Sequence, residues 1–87
     1  MSGEKKLIGK ITHYFDKIGV AVIELSDSLH VGQEISIEGA HTNFTQVVDS
    51  MQVEHKSIHE AKAGQSVGMK VTDRVHINDQ VFRVAPK

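Results

Sequence analysis

Six histidines are the residues of this 87-residue chain best suited to chemistry: His13, His30, His41, His55, His59 and His76. His55 and His59 stand four apart, with Glu54 and Glu60 beside them. On a helix that spacing puts both imidazoles on one face, where zinc or nickel takes them as ligands. A site needs three or four converging ligands, however, and no third is placed by the sequence. The segment reads instead as a strand leaving into a turn. The expectation is no metal, and histidines that lend the surface a pH-dependent charge.

A second set combines charge with rings. Lys10, His13, Tyr14, Phe15 and Lys17 crowd the first predicted hairpin. Such residues pair with phosphates and stack on unpaired bases when the rings are exposed. They fit a plainer arrangement equally, with Tyr14 and Phe15 capping the core and the lysines solvating the turn. Lys56, Lys62, Lys70, Arg74 and Arg83 form a scattered basic group further along. Strand alternation sets Lys70 opposite Met69 and Val71, hence outward if those two are core. Acidic residues interleave with this group, so a solvated face is the alternative to a phosphate-binding one. The candidate RNA-binding set is Lys10, His13, Tyr14, Phe15, Lys17, Lys56, Lys70 and Arg74.

Catalytic patterns are missing. Asp16, Glu24, Asp49, Asp73 and Asp79 show no pairing suited to general acid–base work, and no serine sits in a G-x-S-x-G elbow. No G-x-x-x-x-G-K-[ST] loop is there to cradle phosphates, so nucleotide binding is not expected. With no cysteine, disulfides, thiolate metal sites and thiol nucleophiles are excluded. These patterns predict a binding protein with no catalytic residue, no cofactor and no enzymatic activity of its own.

Short strands must position these side chains. Residues 7–13 read as a first strand, and Asp16, Lys17, Ile18 and Gly19 as a hairpin turn. Asp bonds its own following backbone there, and Gly19 tolerates positive φ. Residues 20–25 are apolar on both faces at Val20, Ala21, Val22 and Ile23. Such a strand is covered on both sides or leaves one side for a partner. Ile35 and Ile37 alternate with polar neighbours, the period-two signal of a half-buried strand. Further strands are predicted over 44–54, 66–72 and 80–84, with at most one helical turn across 57–62. Met51 and Met69 read as core fillers. Gly64 ends a turn, and Gly68 inside a strand indicates a bulge or a tight corner. The prediction is one all-β domain over residues 1–87, with residues 1–6 as a flexible N-terminus. Its six or seven antiparallel strands make a small closed or nearly closed barrel, since closure removes edges that invite aggregation.

Bulk properties agree with a small binding domain. A chain this short buries only about 60–65% of its unfolded surface, so its core must be economical. Lys and Arg number 10 against 11 Asp and Glu, so no global positive field advertises nucleic acid. The longest apolar run, residues 18–23, is too short to cross a bilayer, and no signal-peptide core precedes it. A soluble cytoplasmic protein without a membrane partner is expected.

Residues 48–71, VDSMQVEHKSIHEAKAGQSVGMKV, place a strand, an Ile58 anchor, an E-A-x-x-G turn and a second strand in a distinctive order. This run resembles the second, β-barrel domain of the translation GTPases. Leu29-His30-Val31-Gly32-Gln33-Glu34-Ile35 is similar to their L-x-V-G-[DE]-x-(apolar) pattern, and residues 75–81 to their approach to the last strand. The opening, residues 8–22, is similar to stand-alone translation elongation factor-like proteins and to the C-terminal barrel of the collagenase-like peptidase family. Gln33, Gln65 and Asn78 depart from the Asp, Asp and Gly common in relatives, although Asn reaches the left-handed conformation glycine would supply. The resemblance implies a barrel of the translation-factor domain 2 type that binds without catalysing. In the large factors this barrel holds the acceptor end of transfer RNA or contacts the ribosome. Transfer RNA or ribosomal RNA is therefore the first expected partner. The alternative is a peptidase-like enzyme, with this chain as interaction subunit or detached accessory domain.

Overall fold

The structure, a computed structural model, describes residues 5–85. Ten strands follow one another and, among the described residues, no helix occurs. They are β1 (Lys5–Phe15), β2 (Val20–Leu25), β3 (Leu29–His30), β4 (Glu34–Gly39), β5 (Thr42–Val47), β6 (Met51–Val53), β7 (Lys56–Ile58), β8 (Glu60–Ala61), β9 (Ser66–Lys70) and β10 (Gln80–Val84). Eight of them form one antiparallel sheet in the order β5-β4-β10-β1-β2-β9-β6-β7, while β3 and β8 pair separately. Of the N-terminus expected to be flexible, residues 1–4 lie outside the described residues. Lys5 and Lys6 are paired with Val84 and Arg83 at the start of β1.

Alternation builds the core. Ile8, Ile11, Ala21, Ile23, Leu25, Ile35, Ile37, Met51, Val67, Met69 and Val81 are buried on the inner side of the sheet. Met51 and Met69 face each other across the β6–β9 ladder and fill the core as expected. The β1–β2 hairpin closes through Gly19 at φ 67°, and Asn78 takes φ 76°, both as the sequence predicts.

Three expectations are corrected. The first is closure. The ladder runs open from β5 to β7 and does not close into a barrel. The chain turns a corner at residues 48–50, which carries it from the edge beside β4 to the edge beside β9. Strand pairing breaks at that corner. Val48 is pinned there by backbone bonds to Gln33 (2.8 Å) and Gly32 (2.8 Å). The Gln46 amide spans the remaining gap, donating to the Lys70 carbonyl (3.0 Å) and accepting from the Thr72 N–H (2.9 Å). The second correction is the helical turn over 57–62, where β7 and β8 stand instead. The third is Gly68, which pairs in unbroken register with Val22 and Gln52. The register shifts lie in β1, between Leu7 and Gly9 and between Ile11 and His13.

Candidate interaction face

The second shift in β1 decides which side chains reach solvent. With strict alternation after buried Ile11, His13 and Phe15 would point inward and Tyr14 outward. The extra residue at the bulge reverses this. His13 and Phe15 face out, their rings 4.7 Å apart, and Tyr14 packs against the core. Tyr14 is therefore a core-capping residue.

Pairing extends this outer face across four strands. Phe15, Val20 and Lys70 lie in one row, since Phe15 pairs with Val20 and Val20 with Lys70. His13, Val22, Gly68 and Gln52 make the next row. Lys10, Glu24 and Ser66 make the third. The middle row has no side chain at Gly68, so a trough of about 410 Å³ opens there. Phe15, Ile18, Val20 and Val22 wall one side, and Gln52 and the Glu54–His55 turn the other. Phe15 is 46% exposed and Ile18 62%. Of the apolar residues 20–23, Ala21 and Ile23 are buried, while Val20 and Val22 face this trough half-buried.

Charge divides along the trough. At one end Lys70 stands beside Val20 on the same face, just outside the trough's lining, with Lys17 in the adjoining turn. At the opposite end Glu54 and Ser66 line the trough, and Glu24 stands beside Ser66. Lys10 pairs opposite Glu24 and so dilutes the acidic end without reversing it.

The candidate RNA-binding residues do not share one surface. Lys10, His13, Phe15 and Lys70 project from the outer face, and Lys17 stands in the turn at its end. Lys56 pairs with Val53, whose side chain packs on the core, so alternation sends Lys56 to the other side of the sheet from Gln52. Arg74 lies on the link between β9 and β10, its N–H bonded to the Asp73 carboxylate (2.8 Å). Arg83 is committed elsewhere, donating to the Ser28 carbonyl (2.7 Å).

The histidines scatter too. His55 occupies the β6–β7 turn at φ 66°, and His59 follows β7, so the helical spacing between them does not arise. His30 bonds Glu60 (2.8 Å) across the β3–β8 pair. His76 Nδ1 lies 3.0 Å from the Thr42 hydroxyl, and its ring meets His41 edge-on. Among the described residues, no three or more His, Asp or Glu side chains are grouped to hold a metal.

Sequence reasoning missed Gly68, Gln52 and the Glu54–His55 turn as parts of one site. A signal for Gly68 was present: a glycine amid the alternation of Val67, Met69 and Val71. Its neighbours across the sheet are not readable from one strand.

Fold and face together define an all-β module with an exposed apolar trough and dispersed basic residues. No family model matches the chain. It is 40% identical over 76 residues to an uncharacterized protease of Methanocaldococcus jannaschii, covering 86% of this chain and 19% of that protein. It is 34% identical over 82 residues to a collagenase of Porphyromonas gingivalis, covering 92% of this chain and 23% of that protein. The chain therefore spans about a fifth of the length of these curated relatives. In structure it is similar to the C-terminal domain of a Geobacillus thermoleovorans protein described as a U32 peptidase. There the TM-score is 0.86 at 22% identity, over 92% of this chain and 93% of that one. That likeness is one of fold. These findings support the peptidase side of the resemblance and add nothing to the translation-factor side.

Proposed function

We propose that the chain is a non-catalytic accessory module that works with a peptidase of the collagenase and U32 kind, presenting its outer face to the larger protein. The observation that carries this reading is the pattern of coverage. Nearly all of this chain aligns with peptidases at 34–40% identity, yet it aligns with only 19–23% of their length. The sequence carries no nucleophile elbow and no carboxylate pairing suited to acid–base work, which favours the non-catalytic reading. Asp27 and Glu38 are held by Lys6 and Lys5 in pairs that tie the sheet together, while Glu60 and Asp79 meet His30 and His76. An RNA partner draws less support, since the basic residues divide between two faces and a loop, and the chain is near neutral.

A graft tests the proposal. In the Porphyromonas gingivalis collagenase, the matching segment is deleted or replaced by this chain, and collagen cleavage is followed. Deletion should lower the rate and the graft should recover most of it. A soluble, folded graft no better than the deletion would remove the accessory reading.

A further inference from the structure

Gly68 has no reason within the fold to be glycine. It is not among the residues with positive φ, and its pairing to both neighbours is regular. A Cβ built there meets only Val20 Cγ1 at 3.6 Å and the Gln52 carbonyl at 3.9 Å, ordinary contacts. Glycine weakens a strand interior by conformational entropy and by the packing it forgoes. What the missing side chain does is bare the trough floor between Val22 and Gln52. With the register regular and no bulge there, glycine at such a place suits close approach by a ligand or another backbone.

The rim carries a second departure from local preference. Glu54 and His55 adopt φ 52° and 66° in the two-residue turn between β6 and β7. Such turns favour Asn-Gly, because both residues are left-handed. Two non-glycine residues there hold a strained conformation, and strain of this kind gathers at binding sites. Both side chains line the trough.

We infer that the trough over Gly68 takes an extended segment of the partner peptidase. The segment lies along the strands, with small aliphatic side chains over Gly68 and Val22. A basic residue points to the Glu24–Glu54 end and an acidic residue to the Lys17–Lys70 end. Charge complementarity sets the ends and the bare floor sets the middle. The source of the segment rests on the accessory reading; its chemistry rests on the trough.

The test uses isotope-labelled full chain and two probes. One is the peptide acetyl-Lys-Ala-Val-Ala-Glu-amide, whose Lys, Val and Glu share one face when extended, with acetyl-Lys-Ala-Ser-Ala-Glu-amide as control. The other is the Porphyromonas gingivalis collagenase lacking its matching segment. Saturable amide shifts are expected at Val20, Val22, Gly68 and Gln52 with the first peptide, and weaker ones with the control. Gly68→Val should weaken both probes by at least about tenfold without lowering the unfolding midpoint. Val22→Lys, on the same exposed face, serves if Gly68→Val does not fold. Peptide binding at these amides without collagenase binding keeps the trough and overturns the peptidase as source. Collagenase binding equal in wild type and variants overturns the trough and keeps the accessory reading. Shifts elsewhere, or none with either probe, overturn the trough outright.

Discussion

Asp27 sits between two cations and an amide: Lys6 Nζ at 2.7 Å, Arg83 Nη2 at 3.5 Å, and the Ser28 N–H at 2.7 Å. Lys6 above all, then the Ser28 N–H, holds its carboxyl below the usual 3.8. Glu38 is lowered in the same way by Lys5 and then by the Ser36 hydroxyl. Because both folded-state values are depressed, their stabilisation is present above the ordinary carboxylate range. It is lost as pH falls through the lowered values. The urea midpoint should therefore drop as pH falls below about 4. Asp27→Asn should flatten part of that drop, and salt should shrink the difference between the proteins, since the pairs are partly exposed. Identical pH profiles for wild type and Asp27→Asn would rule out this role. These pairs tie both ends of the described chain to the β2–β3 turn and to β4, a residue-scale device no strand pattern announces.

At the scale of elements the seam between β5 and β9 is the point of weakness. There the backbone ladder gives way to one side chain, Gln46, bonded to both the Lys70 carbonyl and the Thr72 N–H. Gln46→Ala leaves those groups to water and should cost about 1 kcal/mol in urea unfolding. The Thr72 amide should also exchange with solvent faster than in wild type. An unchanged exchange rate would mean the seam is held by the Val48 corner alone. The β1 bulge is the complementary case, a single extra residue that aims three side chains, His13, Tyr14 and Phe15. It also shapes the candidate face, because Phe15 reaches the trough, and His13 the outer face beside it, only through it.

For the whole molecule, pairing of the first strand with the last makes the fold depend on contacts between the chain's extremes. Loop closure on that scale precedes any reward from packing, so folding in milliseconds to seconds is expected rather than microseconds. One core serves every strand of the main sheet, and the corner and seam join its edges. A single cooperative transition should follow, with circular dichroism and Tyr14 fluorescence giving the same urea midpoint. Separate midpoints would divide the chain into units that unfold independently.

Local features were legible in the sequence because they rest on local physics. The turn at Gly19, left-handed Asn78 and the two-faced residues 20–23 appear where composition places them, and Ile35 and Ile37 reach the core, although Ser36 between them is buried as well. The all-β class follows from them. The candidate site was half legible: Phe15, His13 and Lys70 belong to the outer face, but Tyr14 and Lys56 do not. Register explains the difference. One bulged residue in β1 exchanges inside for outside, and nothing in that strand's own pattern prints the exchange. Tertiary structure alone decided that Gly68 would lie between Val22 and Gln52, baring a trough. It alone decided that the sheet would end at a corner instead of closing. Neighbours across a sheet come from distant parts of the chain, so the face they build exists only once register is set.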